Sequence, residues 1–390
     1  KIELIFQAGR WNEPAHGVAA AVAAQLKEGT KNKTALEIAN LIDFYGASIQ
    51  AQAMIDYGSV SLFCLTKHLN ALLPLLRELL TESIFPEHEL DIFKRNSVQK
   101  LTINEQKMDF LAQRQFTEAL YGNAHPIGYT TSKEDFEALG HQALLQHRVN
   151  TYAPQDCTMI VSGKVSDATL KTIAETLGND AWNKANVTEP KVELRNTNGT
   201  TVFNDVKDDA VQSALRVGKR FINKLHPDYP AAKTVNLVLG EYFGSRLMSN
   251  LREDKGYCYG VHSSIASFRH DGYFCIASEV GATVTNESLR EIKVELNRLQ
   301  QDLVPMEELE AARNYRLGTL LGDLDGPFNS ADLIKGLILF NLGEDYFKRY
   351  VHTIQTIAPQ ELRDTAQRYF GADDMITAVA GSRVAEPQTV

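Results

Sequence analysis

Residues 142–163, QALLQHRVNTYAPQDCTMIVSG, lie without a gap over residues 360–381, QELRDTAQRYFGADDMITAVAG, at an offset of 218. Gln142, Leu144, Asp156, Val161 and Gly163 meet Gln360, Leu362, Asp374, Val379 and Gly381, and Tyr152 meets Phe370. Five identities in 22 positions are few, but both segments read as helix, turn, strand and Gly in the same order. A unit that recurs half a chain later makes duplication the better explanation. The 390 residues are then expected to form two related halves.

The remaining signals fall into the same order twice. In the first half, KIELIFQAG alternates as a strand, and ASIQAQAMIDYGSVSLFCLT gives two alternating runs around DYG. GVAAAVAAQLKEG and TALEIANLIDFYG read as helices closed by Gly. A long helical zone and the strand DCTMIVSG follow. In the second half the strand DDAVQSALRVGKR precedes helices YPAAKTVNLVLGEYFG and SRLMSNLRE, then strands GYCYGVHSSIASF and GYFCIASEVG. Strands and helices come in runs rather than strict alternation. That favours an α+β fold, each half a mainly antiparallel sheet faced by helices, over a doubly wound parallel sheet. The polar stretch around 183–200 reads as the connection. The expected division is residues 1–185, a linker at 186–199, and 200–390.

Charge and cysteine content exclude several functions. A formal net charge of −9 with scattered lysines gives no electrostatic footprint for nucleic acid. No apolar run is long enough for a membrane span. The four cysteines, Cys64, Cys157, Cys258 and Cys275, are no disulfide framework and read as small buried hydrophobes. Cys258 and Cys275 lie on strands that could pair face to face. A reducing compartment, the bacterial cytoplasm, is the expectation. A leader and a strand lost ahead of KIELIFQAG would place the chain in the periplasm instead.

No independent hydrolytic centre is legible. No two of the ten histidines are four residues apart, and no G-x-S-x-G occurs. His16 reads as a capping or surface residue, PEHE at 86–89 as the acidic first turn of a helix, and Arg246 as structural. Two donors in REDKGYCY are different. Arg252 offers fixed, permanently charged donors, and Tyr259, seven residues on, one directional donor suited to a developing oxyanion. Gly256 lets the chain turn from helix end to strand between them. The bland reading is an Arg at a helix C-terminus and a half-buried strand Tyr.

Across essentially its whole length the chain resembles the pitrilysin/insulinase superfamily of zinc peptidases, in the group built of small subunits. The resemblance is carried by QAGRWNEPAHGVAAAVAAQLKEGT, AHPIGYTTSKEDFEAL, VQSALRVGK and, most specifically, GSRLMSNLREDKGYCYG. It implies two α+β halves around a chamber. It also implies an H-x-x-E-H helix holding zinc, with the Glu as general base and a distal Glu completing the ligands. Aligned on Gly29 and Thr30, the two His positions fall on Ala20 and Ala24, the base on Ala23 and the distal Glu near Leu101. None of these can ligate a metal or move a proton. The helix, apolar on every side, is expected to be buried. The Arg252/Tyr259 pair matches the family's substrate-binding pair, with Tyr257 as an alternative on the same strand face. Gln212 and Ser213 are weaker candidates for peptide contact.

The resemblance implies a non-catalytic subunit without cofactor of its own. It would pair with a homologous zinc-bearing peptidase subunit, bind peptide, and supply Arg252 and Tyr259 to that partner's zinc site. The competing expectation is an inactive pseudopeptidase that binds peptides or scaffolds an assembly. The long glycine-rich loop of mitochondrial processing peptidase α-subunits is missing from VLGEYFGSRL.

Overall fold

The structure is a computed structural model that describes residues 1–178, 187, 201–205 and 210–381. The expected linker, 186–199, lies outside the described residues apart from Val187. The strands are β1 Ile2–Phe6, β2 Ser48–Ala53, β3 Gly58–Phe63, β4 Thr158–Val161, β5 Thr201–Asp205, β6 Gln212–Arg220, β7 Cys258–Ser267, β8 Gly272–Gly281 and β9 Ile376–Gly381. The first eight α-helices are α1 Val18–Gln25, α2 Ala35–Phe44, α3 Leu69–Glu82, α4 Glu87–Asn104, α5 Met108–Tyr121, α6 Lys133–Ala138, α7 His141–Thr151 and α8 Asp167–Leu177. The others are α9 Tyr229–Asn236, α10 Thr285–Gln301, α11 Met306–Leu324, α12 Gly326–Ile338, α13 Glu344–Thr356 and α14 Pro359–Tyr369.

Two compact units result. Among the described residues the first comprises 1–103, 131–178, 187 and 326–332, and the second 104–130, 201–205, 210–325 and 333–381. The first unit holds a four-stranded antiparallel sheet in the order β2-β3-β1-β4. Its core gathers Leu4, Phe6, Val22, Leu26, Leu62 and Leu76, all at most 1% exposed. Phe6 and Tyr152 pack with ring centres 5.0 Å apart. Each such buried side chain contributes roughly 1.5–3 kcal/mol of transfer free energy.

Helix α1 starts at Gly17 in a left-handed conformation (φ 86°), and the Glu13 carboxylate accepts a 3.0 Å hydrogen bond from Ala19 N. That bond satisfies one of the amides a helix start leaves open. The helix is not buried all round, contrary to expectation. Val18, Ala19, Ala21, Val22 and Ala23 are buried, while Ala20 and Ala24 are exposed. Alanine is indifferent to either side of a helix, so its composition carries no facing signal. Spacing does: positions four apart share one face, and here that face is open.

The second unit holds a five-stranded sheet in the order β5-β9-β6-β8-β7, antiparallel except for the parallel β5–β9 pair. On one side α5 packs Leu111 and Ala112 against Ala214 of β6 and Ala380 of β9. Arg216, 6% exposed, bonds Gln113 Oε1 at 2.9 Å and pairs with Asp109. A large core forms around Leu215, Phe274, Ile276, Leu251, Leu296 and Phe370.

The repeat is visible in both units. Helix α7 followed by β4 corresponds to α14 followed by β9, with helix starts at His141 and Pro359 and strand starts at Thr158 and Ile376. The two cysteines set on neighbouring strands do not face each other: Cys258 is opposite Val280 and Cys275 opposite Ser264. All four cysteines are free. Among the described residues no helix is long and apolar enough to cross a membrane.

Candidate functional site

The site is built at one end of the five-stranded sheet. In register, Gln212 at the start of β6 is opposite Gly281 at the end of β8, and Val280 is opposite Cys258 at the start of β7. Tyr257 precedes β7, and its carbonyl accepts a 3.1 Å bond from Gly281 N. Thus Gln212, Tyr257 and Tyr259 share this end.

Arg252 reaches the same end from the preceding segment. Met248–Asp254 is π-helical, with Lys255 N bonded to Asn250 O at 3.2 Å. Such wide turns recur at functional sites because the extra residue re-aims a side chain. Here Leu251 is fully buried while its neighbour Arg252 is half-buried. The segment ends at Gly256 (φ 62°), whose N–H bonds Arg252 O at 3.2 Å; Tyr257 N then bonds Leu251 O at 2.8 Å. A left-handed glycine closing a helix in this way reverses the chain at low steric cost. It is what brings Tyr259 back beside Arg252.

Tyr259 occupies a β-bulge. The register shifts between Cys258 and Val261, so that Tyr259 and Gly260 together oppose Glu279. Ser278 Oγ donates a 2.9 Å bond to Gly260 O across the bulge. A bulge turns a side chain away from the regular alternation, and Tyr259 is 88% exposed. Its hydroxyl has no hydrogen-bond partner among the described residues.

The guanidinium of Arg252 lies over two aromatic rings. It lies 5.2 Å from the centre of Tyr259 and 4.7 Å from that of Phe243. Among the described residues it makes no hydrogen bond or ion pair. Other arginines of the unit differ: Arg246 is bidentate to Glu308 at 2.7 and 2.9 Å, and Arg220 pairs with Asp271. Arg246 is therefore structural, as expected. Arg252 is in contact with two rings while its donors are uncommitted among the described residues. Below it, burial pushes the Cys258 thiol up from its ordinary pKa, with Ser278 and the Arg252 charge opposing.

Gln212 is exposed beside Val211, which is 83% exposed. Ser213 is fully buried and its Oγ accepts a 3.0 Å bond from Thr285 Oγ1, a packing role that leaves it no face for a ligand. Tyr257 is half-buried. Phe243 was not legible as part of the site. It falls in a stretch that reads as helix, whereas the chain there leaves the helix after Glu241 and turns.

In the first unit Ala20 and Ala24 share the open face of α1, Ala23 is 3% exposed beneath them, and Leu101 on α4 is half-buried. Methyl and isobutyl groups have no lone pairs, so these four positions do not fit a zinc ion. Among the described residues no group of three or more His, Cys, Asp or Glu could hold a metal. His16 Nδ1 lies 3.6 Å from Asp135 Oδ2.

The chain thus consists of two α+β units, the second of which sets Arg252 beside Tyr259. Residues 1–132 match the family described as Insulinase (Peptidase family M16), and residues 138–315 match the Peptidase M16 inactive domain. The chain belongs to this M16 family and carries its inactive domain. It is 28% identical over 301 residues, 76% of this chain and 72% of the relative, to an uncharacterized zinc protease of Bacillus subtilis. It is 24% identical over 383 residues, 94% of this chain and 85% of the relative, to a non-peptidase homolog of Helicobacter pylori. A crystal structure of a peptidase M16 inactive domain from Pseudomonas fluorescens superposes with a TM-score of 0.89 at 23% identity, covering 99% of this chain and 93% of that one.

Proposed function

We propose that this chain is a non-catalytic subunit of a two-subunit zinc-dependent endopeptidase. It binds peptide and contributes Arg252 and Tyr259 as hydrogen-bond donors to a reaction centred on a homologous, zinc-bearing partner. The observation that carries this reading is the state of Arg252. A half-buried guanidinium lies against two rings yet is bonded to no acceptor among the described residues, next to a phenol of which the same holds. Arg246 and Arg220 of the same unit are, by contrast, each paired with a carboxylate.

In this reading the chain's own zinc position was lost at Ala20, Ala23, Ala24 and Leu101, and the chain has no activity alone. Arg252 presents two parallel donors to carbonyl oxygens of an extended peptide. Tyr259 O–H points at the oxygen on which negative charge grows during attack. Both act more on the transition state than on the bound ground state, so their loss lowers kcat more than it raises KM.

A second reading keeps the peptide-binding or scaffolding role without any catalytic contribution. It is favoured by the name of the Helicobacter pylori relative, a non-peptidase homolog. One experiment separates the two. The chain is reconstituted with a zinc-bearing M16 subunit, and Arg252→Ala and Tyr259→Phe are introduced in this chain only. A fall in kcat of about 100-fold or more for either variant supports the first reading. Normal assembly with unchanged turnover overturns it in favour of the second.

A further inference from the structure

Phe243 is 58% exposed, a poor place for a phenyl ring unless the ring has a use. Its turn is pinned on both sides. Tyr242 stacks on Tyr315 of α11 with centres 4.9 Å apart and planes 26° from parallel. Three residues on, Arg246 is bidentate to Glu308 of the same helix. Ser245 N closes the turn on Tyr242 O at 3.1 Å. The turn therefore presents Phe243 from a fixed base, and what it presents it to is the guanidinium of Arg252, at 4.7 Å.

We infer that Phe243 is a positioning residue: it clamps Arg252 against Tyr259 and fixes the plane in which the guanidinium donates. The inference rests on the donor role proposed above for Arg252. Arg252 has no acceptor among the described residues to orient it. Its long side chain is therefore restrained only by packing and by the two rings. Of these rings, Tyr259 stands on a bulge and is 88% exposed, so it is the less anchored. Phe243 is the ring whose backbone is held. Removing it frees the guanidinium to rotate and to be hydrated, and the directional donors lose their aim. A ring of another kind at 243 preserves the clamp, because the attraction is to the π face. An aliphatic side chain of similar volume does not.

The test uses the full chain and has two arms. In the first, the chain alone carries 15N-labelled arginine, and the Arg252 side-chain Nε–Hε resonance is assigned by its disappearance in Arg252→Lys. Wild type and Phe243→Trp are expected to show a ring-shifted, ordered signal. Phe243→Leu is expected to show one near the shift and order of a free arginine, with backbone spectra otherwise unchanged. In the second arm, reconstituted with a zinc-bearing partner, Phe243→Leu is expected to lower kcat about ten- to a hundredfold with KM little moved, and Phe243→Trp to restore it. An Arg252 signal indifferent to Phe243→Leu overturns the clamp, whatever the activity. A clamp seen by NMR together with an Arg252→Ala variant of full activity retains the clamp and overturns the donor role. Loss of activity that Phe243→Trp fails to restore, with the NMR signal unchanged, assigns Phe243 a purely structural part.

Discussion

Arg252 lies with its guanidinium 5.2 Å from the centre of the Tyr259 ring, and neither side chain has a hydrogen-bond partner among the described residues. The two are brought together by three departures from regular structure in sequence: a π-helical segment, a left-handed Gly256 and a β-bulge. Each changes where a side chain points. Stability and donor geometry are therefore separable here, and the first predictions exploit that.

Tyr259→Phe should be nearly silent in folding, within about 0.5 kcal/mol, because its hydroxyl is exposed and bonded to nothing described. Arg252→Ala should cost about 1–2 kcal/mol, the loss of its contacts with two rings. A double-mutant cycle between Phe243→Leu and Arg252→Ala should give a coupling of about 0.5–1 kcal/mol. Urea unfolding of wild type, the three single variants and the double variant measures all of these.

Gly256→Ala should destabilise by about 1–2 kcal/mol, although a Cβ there meets nothing within 4 Å. The cost is conformational, since φ is 62°. Gly256→Asn, which tolerates that region, should recover part of it. Equal stability of the Ala variant and wild type in urea would show that the turn relaxes.

His147 gives an acid-side pH dependence. It is 2% exposed, and burial lowers its pKa from 6.5 to about 4, with backbone groups of Ala8 and Asn12 opposing. A depressed folded value means the unfolded chain binds the proton first. The contribution is full above about pH 6.5 and is lost as pH falls through about 4. Over that window the slope should approach 1.4 kcal/mol per pH unit, about 3 kcal/mol in all. Urea midpoints measured across this range for wild type and His147→Gln should converge towards low pH.

The open face of α1 makes a third kind of test. Ala20→His with Ala24→His places two imidazoles one turn apart on exposed positions. The double variant should lose only about 1 kcal/mol of stability, from helix propensity. Titration calorimetry should show it binding zinc where the wild-type chain does not. A variant that unfolds, or one that binds no metal, would mean that α1 is more crowded than its exposure indicates.

Much of the fold was legible because its signals are local. GYFCIASEVG coincides with β8, and the two runs around DYG became β2 and β3. Ser166, Ser132 and Thr34 each cap the helix that follows them, and Ser132 and Thr34 complete capping boxes. Arg252 and Tyr259 were nameable through the family resemblance, whose Arg/Tyr pair they match; their chemistry alone equally suits a helix-end Arg and a strand Tyr. Phe243 was not, because its part depends on a π-helical interruption, and a wider turn leaves no mark in a pattern read at the α-helical period. The facing of α1 was misread for a related reason. A run of alanines has no polar side, so which methyl groups meet water is decided by neighbours and not by the run itself.

The strand order of the second unit has a consequence for synthesis. β9 is the last of the described strands, yet it lies between β5 and β6, and α5, made more than two hundred residues earlier, rests on it through Ala380. On a ribosome, β6, β7 and β8 emerge first and pair in the order β6-β8-β7, and the edge of β6 that β9 will occupy stays open until Ile376–Gly381 has emerged. Closure of that sheet is then a late event, and the nascent unit carries an unpaired strand edge for most of its translation. A truncation that removes Ile376–Gly381 would make that transient edge permanent.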